Sequence, residues 1–195
     1  MARAGLSEQR LVRAGADLAD EIGFDRVTVS ALARRFDVKA ASLYSHLGGS
    51  DDLRTKIALL ALGELAERSA DALAGRAGRE ALVALANAHR DYARRHPGRF
   101  AATQLRLDPA AVEASDGRRL GEMMRAILRG YDLAGSDQTH AVRLIGSVVS
   151  GFVNLEAAGG FDHSSPGSDE SWSWALNALD RMLRSGASTT DESDS

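Results

Sequence analysis

The sequence contains no cysteine, and none of its apolar runs approaches the length that crosses a bilayer. The missing cysteine excludes disulfide bonds, thiolate nucleophiles and zinc sites built from cysteine. The first six residues also lack the apolar stretch of a secretion signal. We therefore expect a cytoplasmic protein with no membrane partner.

Strand-like alternation of apolar and polar residues does not persist anywhere in the 195 residues, whereas helical spacing recurs throughout. Ser7 is a candidate cap for a first helix whose apolar residues, from Leu11 to Ile22, are spaced four, three and four apart. Gly23 follows where a helix stop is expected. The sequence therefore predicts an all-α fold.

Helical spacing after the first helix predicts several longer elements. Ser50 with Asp51 and Asp52 supplies a cap and two carboxylates at the start of a helix to about Leu73. Further helices are predicted over residues 79–96, 109–131, 136–158 and 171–183. The helix over 136–158 is apolar on most sides, so it should be buried.

Charge is unevenly distributed along the chain. The formal net charge of −3 argues against a wholly basic protein that coats nucleic acid. The first 50 residues carry seven basic side chains against six acidic ones, whereas residues 162–195 carry seven acidic against two basic. The N-terminal end can therefore approach phosphates, and the C-terminal end would be repelled by them.

The most informative stretch covers residues 27–53, where Thr28 caps a short helix and a tight turn at Asp37 and Val38 leads into a second short helix. This layout is typical of a helix-turn-helix, whose second helix enters the major groove. The predicted anchors of the two helices are apolar: Leu32, Phe36, Val38, Leu43 and Leu47. The opposite side of a short helix over 39–46 would carry small and hydrogen-bonding residues: Lys39, Ala40, Ala41, Ser42, Tyr44 and His46. Small residues let the backbone approach the bases, and the polar ones can reach base edges or phosphates.

Residues 10–60 resemble the TetR-type repressors. The resemblance lies in the order and spacing of Thr28-Val29, Leu32-Ala33, Val38 and Leu43–Leu47, with Leu53 following. The resemblance implies a dimer of nine or ten helices per chain, with a DNA-binding head and a ligand-binding body. It also implies that Thr28, Lys39, Ser42, Tyr44 and His46 contact DNA.

Three positions depart from the family's usual pattern, of which Leu47, in place of a more usual Phe or Val, is within the tolerance of a core. Asp37 stands where glycine is common, so the turn should use an aspartate in the left-handed conformation. Ser50 stands where a lysine usually touches phosphate; one cationic contact is lost, but the hydroxyl and the helix N-terminus can still bind phosphate.

The C-terminal half carries a second resemblance. Residues 151–156, Gly-Phe-Val-Asn-Leu-Glu, resemble one C-terminal subfamily of these repressors. That resemblance implies a homodimer formed through the last two helices. The predicted division is a DNA-binding domain over 1–52, an effector-binding and dimerisation domain over 53–185, and a disordered tail over 186–195.

Residues of the predicted effector-binding domain are candidates for lining a cavity, since helix bundles commonly hold ligands between helices. The candidates are His89, Tyr92, Phe100, Gln104, Met123, Met124, Ile127, Asn154 and Glu156. Each of the apolar ones can equally belong to the core. Glu156 needs a partner if it is buried, so it binds a polar ligand group, pairs with an arginine or lies in water near the helix end.

The sequence therefore predicts a repressor that binds a palindromic double-stranded DNA operator and is released by a small-molecule effector. We expect no cofactor, no metal site and no catalytic residues; His89 and His96 share a helical face but have no evident third ligand. The alternative is a helical small-molecule-binding protein or enzyme with a vestigial helix-turn-helix. An activator also fits the sequence.

Overall fold

The computed structural model describes residues 6–113, 115–133 and 135–186. Over these ranges the chain forms nine α-helices and no β-strand, which confirms the all-α fold class. The helices are α1 (Glu8–Ile22), α2 (Val29–Arg35), α3 (Ser50–Leu73), α4 (Gly78–Arg95), α5 (Pro97–Ala102), α6 (Pro109–Glu113), α7 (Gly117–Leu128), α8 (Gly135–Ala157) and α9 (Ser168–Gly186). None of the helices in these ranges is both long and apolar enough to cross a membrane. All but the first residue of the predicted tail lies outside the described residues.

The predicted boundaries of the first two helices are confirmed. The Ser7 hydroxyl accepts a hydrogen bond from the Arg10 amide, and Gly23 ends α1 with a φ of 90°. The Thr28 hydroxyl accepts from the Ala31 amide at 3.0 Å and so caps α2. Side-chain caps of this kind satisfy amides that have no partner within the helix.

The single helix predicted over 109–131 is wrong in detail. Helix α6 ends at Glu113, α7 begins at Gly117, and a 3₁₀ turn covers Arg129–Tyr131. The Gly117 amide donates to the Ser115 hydroxyl at 3.2 Å, so the serine supplies a local acceptor that competes with helix continuation. The Ser115-Asp116-Gly117 sequence is a turn signal for the same reason.

The chain divides into two compact units. The first contains residues up to 66 together with 92–118, and the second contains 67–91 together with the residues from 119 onward. Helices α3 and α4 each contribute residues to both units. The functional boundary predicted between residues 52 and 53 stays a prediction, because packing alone assigns the start of α3 to the first unit.

The core of the first unit lies beneath the predicted helix-turn-helix. Leu11, Leu32, Leu43, Leu53 and Ile57 are fully buried there, so α1, α2, the segment after α2 and α3 share one apolar centre. Burying a side chain of this size stabilises the fold by about 1.5–3 kcal/mol. These contacts explain how two segments too short to be stable alone keep their conformation.

The second unit has its own core, in which α8 buries one face. Ala141, Ile145, Val149 and Val153 are buried at four-residue spacing. The prediction that this helix is buried on most sides is wrong for the single chain, because Leu155 is 55% exposed. One side of α8 is therefore left uncovered.

A buried arginine connects the elements of the second unit. The Arg90 guanidinium pairs with Glu156 at 2.5 Å and with Asp169 at 2.9 Å, while its side chain is only 6% exposed. It also lies over the rings of Phe152 and Trp172, at 5.5 and 5.1 Å from their centroids. One cation on α4 thus contacts α8 and α9 at once.

Candidate DNA interface and effector cavity

The segment after α2 is held by two leucines and is more tightly wound than predicted. Ala40–Ser42 forms a 3₁₀ turn, and the Leu47 amide closes one α-type turn with the Leu43 carbonyl at 3.0 Å. The α-helix predicted over 39–46 is therefore replaced by a 3₁₀ turn followed by hydrogen-bonded turns. Short segments commonly adopt this geometry, since they form few hydrogen bonds of either type.

The turn that leads into this segment uses Asp37 in the left-handed conformation, with a φ of 51°. This result confirms the expectation drawn from the sequence. The Val38 amide then donates to the Ala33 carbonyl at 3.1 Å, so the chain reverses directly onto the end of α2. The reversal places Leu43 and Leu47 in the core, where they are 0% and 2% exposed.

The other side of the segment faces solvent. Lys39, Ala41, Ser42 and Tyr44 are exposed, with Tyr44 at 58%, and Ala40 and His46 are half-buried. The structure therefore places these predicted DNA-contact residues on the accessible side. Whether they touch DNA stays a prediction.

The two hydroxyls predicted to contact DNA already hold the start of α2. Thr28 accepts from the Ala31 amide, and Ser50 accepts from the Val29 amide at 3.0 Å. The expectation that Ser50 caps its own helix is wrong, because it is the first residue of α3 and its oxygen reaches across 21 residues. Each hydroxyl still has its proton to donate to a phosphate.

Exposed cations of the first unit differ in whether a carboxylate neutralises them. Arg35 pairs with Glu21 at 2.7 Å, and Lys56 contacts Glu8 and Asp52 at 2.9 Å. Lys39, Arg26 and Arg34 are exposed and form no ion pair with any residue in the described ranges. These three cations are therefore available to phosphates.

The predicted effector residues divide between the two units. Tyr92, Phe100 and Gln104 belong to the first unit, and the other six belong to the second. Phe100 is buried, whereas Gln104 and Asn154 are exposed. Met124 packs against the core of the second unit.

Three of the polar candidates are satisfied within the protein. The His89 Nδ1–H donates to the Leu85 carbonyl at 2.9 Å, and burial lowers the pKa of His89. The Tyr92 hydroxyl donates to Glu64 at 2.8 Å, and burial together with that carboxylate raises the pKa of Tyr92. Among the three alternatives for Glu156, the structure shows the arginine pair, with Arg90.

The second unit contains a cavity of about 700 Å³ between the end of α3, the start of α4 and helix α7. Met123 and Ile127 are the two predicted effector residues that line it. Its charged lining residues are Arg76, Arg119, Arg129 and Glu122, which the sequence did not single out. On the sequence these residues are ordinary surface charges, and only the folded chain brings them to one cavity. Within the described part of the chain, no group of three potential metal ligands occurs.

Comparison with known proteins gives matches over most of the chain. Residues 11–55 match the family described as bacterial regulatory proteins, tetR family, and residues 82–179 match the tetracyclin repressor-like C-terminal domain. The chain is 33% identical over 163 residues to the uncharacterized HTH-type transcriptional regulator Rv0681 of Mycobacterium tuberculosis (strain ATCC 25618 / H37Rv), covering 82% of this chain and 74% of that one. It is 29% identical over 160 residues to the uncharacterized HTH-type transcriptional regulator YobS of Bacillus subtilis (strain 168), covering 82% and 84%. The solved structure of the Streptomyces coelicolor TetR family protein ActR in complex with actinorhodin has a TM-score of 0.70 at 18% identity, covering 94% of this chain and 99% of that one.

Proposed function

The chain belongs to the TetR family of bacterial DNA-binding transcriptional regulators, and from this premise we propose that it is a dimeric repressor released from its operator by a small molecule. The observation that carries the proposal is the segment after α2. Its leucines are buried in the core of the first unit, while Lys39, Ser42 and Tyr44 are presented to solvent.

The exposed residues suit a DNA groove in different ways. Ala41 has no side chain beyond its methyl group, so it allows close approach and can contact a thymine methyl. Ser42 and Tyr44 can form hydrogen bonds with base edges or phosphates, and Lys39 supplies a positive charge. The hydroxyl protons of Thr28 and Ser50 are further phosphate donors in this proposal.

A dimer is part of the proposal because a palindromic operator needs two heads. Exposed large apolar side chains lie on the two helices that the sequence assigned to dimerisation: Leu155 on α8, and Trp174 and Met182 on α9, at 68% and 54% exposed. Apolar surface of this kind marks interaction sites, and a two-fold axis would bring the same patch of a second copy against it.

Sedimentation tests the dimer. The wild-type chain is expected at twice its monomer mass, and Trp174→Glu is expected to shift it toward monomer. Arg125→Glu on α7 serves as a control that leaves α8 and α9 unchanged. A wild-type monomer at micromolar concentration would contradict the two-head mechanism.

Ligand response is proposed from the cavity of the second unit. The ActR complex with actinorhodin supports the idea that this fold can hold a small molecule. Helix α3 supplies Leu73 to the cavity and Leu53 to the core beneath the DNA-binding segment. A ligand that prefers the conformation with low DNA affinity would therefore shift the population away from the operator-bound state.

DNA binding is tested with the intergenic DNA upstream of the protein's own gene, by gel shift or fluorescence anisotropy at low salt. Lys39→Ala combined with Tyr44→Ala is expected to weaken binding by at least about tenfold. Lys39→Ala alone should lower the slope of log affinity against log salt by about 1, the loss of one phosphate contact. Arg125→Ala, at an exposed arginine of α7 outside the two helices assigned to dimerisation, is the charge-matched control.

Two results would count against the proposal. The first is a folded wild-type protein that binds no fragment of that DNA at low salt. The second is a double variant that binds as well as the control, which would show that the residues of the 39–44 segment are not the contact surface.

A further inference from the structure

The cavity of the second unit opens to solvent and has the size of a site for a drug-like molecule. Its volume of about 700 Å³ lies within the usual range for small-molecule sites. Leu73, Met123 and Ile127 contribute apolar surface, with alanines between them. An apolar molecular body would therefore replace water along most of this lining.

The charged residues of the cavity are mainly positive. Arg76, Arg119 and Arg129 line it, against Glu122 as the acidic residue. Arg76 donates to the Ala72 carbonyl at 2.5 Å, and neither Arg76 nor Arg129 forms an ion pair with a residue of the described chain. Two arginines thus line the same cavity, and neither has a carboxylate partner in the described chain.

The two segments that carry these arginines approach each other through their backbones. A Cβ atom added at Gly130 would lie 3.2 Å from the Cα atom of Gly78, so the turn after α7 and the start of α4 touch through their glycines. Arg129 directly precedes the first glycine, and Arg76 lies two residues before the second. The two segments that carry Arg129 and Arg76 are therefore neighbours at one wall of the cavity.

We propose that this cavity binds an amphipathic anion, an apolar body that carries one carboxylate or a comparable acidic group. The guanidinium groups of Arg129 and Arg76 pair with the acidic group, because the planar guanidinium matches a carboxylate through two parallel hydrogen bonds. A cationic ligand of the same shape is repelled by Arg76 and Arg129. This inference rests on the proposed function, since it names the class of molecule that acts as effector.

Calorimetric titration of the full-length protein with two probes tests the ligand class. Decanoate and decyltrimethylammonium share an apolar chain and differ in the sign of their charge. We expect decanoate to bind and the ammonium probe to bind at least about tenfold more weakly. Equal binding of the two probes, preference for the ammonium probe, or no binding of decanoate overturns the proposal.

Variants locate the binding to the cavity. Arg129→Gln and Arg76→Gln are each expected to weaken decanoate binding several-fold, and the double variant more than either. Arg125→Gln removes an exposed arginine of α7 that does not line the cavity, so it should leave binding unchanged. Each variant is compared at an equal fraction of folded protein by circular dichroism. A loss in Arg125→Gln as large as in Arg129→Gln overturns the assignment.

Operator binding separates this inference from the function on which it rests. Arginine-dependent decanoate binding that leaves DNA affinity unchanged supports the ligand class and contradicts effector control from this cavity. Release of DNA by the ammonium probe but not by decanoate supports ligand response and overturns the ligand class.

Discussion

Replacing Gly98 by alanine tests a close contact between two helices of the first unit. Helices α1 and α5 cross at this glycine, and a Cβ atom there would lie 2.0 Å from the Ala19 carbonyl oxygen and 2.5 Å from the Asp20 amide nitrogen. Both neighbours are backbone atoms within α1, so no side-chain rotation relieves the overlap. The two helices must move apart, and such overpacking costs about 1–3 kcal/mol, with backbone displacement at the upper end.

Polar contacts at the same crossing increase the expected loss. The Asp20 carboxylate accepts a hydrogen bond from the Arg99 amide at 2.9 Å and lies 3.1 Å from His96 Nδ1. Arg99 also pairs with Asp17 on α1. Separation of α1 from α5 weakens all of these contacts, so we expect Gly98→Ala to destabilise the protein by about 3 kcal/mol or more. That is a large part of a typical stability of about 5–15 kcal/mol.

Urea unfolding followed by far-ultraviolet circular dichroism, at one protein concentration, measures this loss. Gly121→Ala on α7 is the control, because its added Cβ meets only the end of the Arg125 side chain at 3.7 Å. The control should be as stable as wild type or up to about 1 kcal/mol more stable, through helix propensity. A Gly98→Ala variant that unfolds at the wild-type urea concentration would refute the packing argument.

Two further substitutions test buried polar groups of the second unit. Burial lowers the pKa of His89, so the stability that the neutral imidazole contributes is full above the unfolded pKa of about 6.5 and is lost as the pH falls below it. His89→Leu should therefore flatten the decline in melting temperature measured between pH 7 and pH 5. An unchanged decline would contradict this prediction. The Tyr131 hydroxyl donates to the buried Asp180 carboxylate at 2.8 Å. Tyr131→Phe should therefore lower the free energy of unfolding, measured in urea, by about 1.5–3 kcal/mol. A loss near zero would show that water replaces the hydroxyl.

The conformation of the segment predicted to contact DNA was predictable from sequence because its determinants are local. The Thr28 cap lies three residues from the amide that it binds, and the Asp37 conformation follows from the tight turn in which it lies. Leu43 and Leu47 are one helical turn apart, so their shared burial follows from spacing. The 3₁₀ winding over Ala40–Ser42 was not predictable, because spacing of apolar residues does not distinguish two short helical geometries.

The lining of the cavity was not predictable because it depends on contacts between distant parts of the chain. Of the nine candidates, Met123 and Ile127 reach the cavity, and both were selected as apolar residues on one helix. Glu156 pairs with Arg90 across 66 residues, and no pattern in the sequence indicates that partner. A buried carboxylate can be identified as needing a partner from sequence, but whether protein or ligand supplies it depends on the fold.

Two largely buried arginines of the folded chain pair with carboxylates, whereas two exposed cations at candidate binding sites do not. The sequence has 27 acidic against 24 basic side chains, so an arginine without a carboxylate does not reflect a shortage of partners. Arg90 has two carboxylates in the second unit, and Arg99 has three in the first. Lys39, in the segment predicted to contact DNA, has none in the described chain, and Arg129 at the cavity has none either. Their position distinguishes these two cations from other exposed arginines without a carboxylate in the described chain, such as Arg125: Lys39 lies on the same exposed side as Ser42 and Tyr44, and Arg129 lines the cavity together with Arg76. Phosphate is therefore the expected partner of the first, and an acidic effector that of the second.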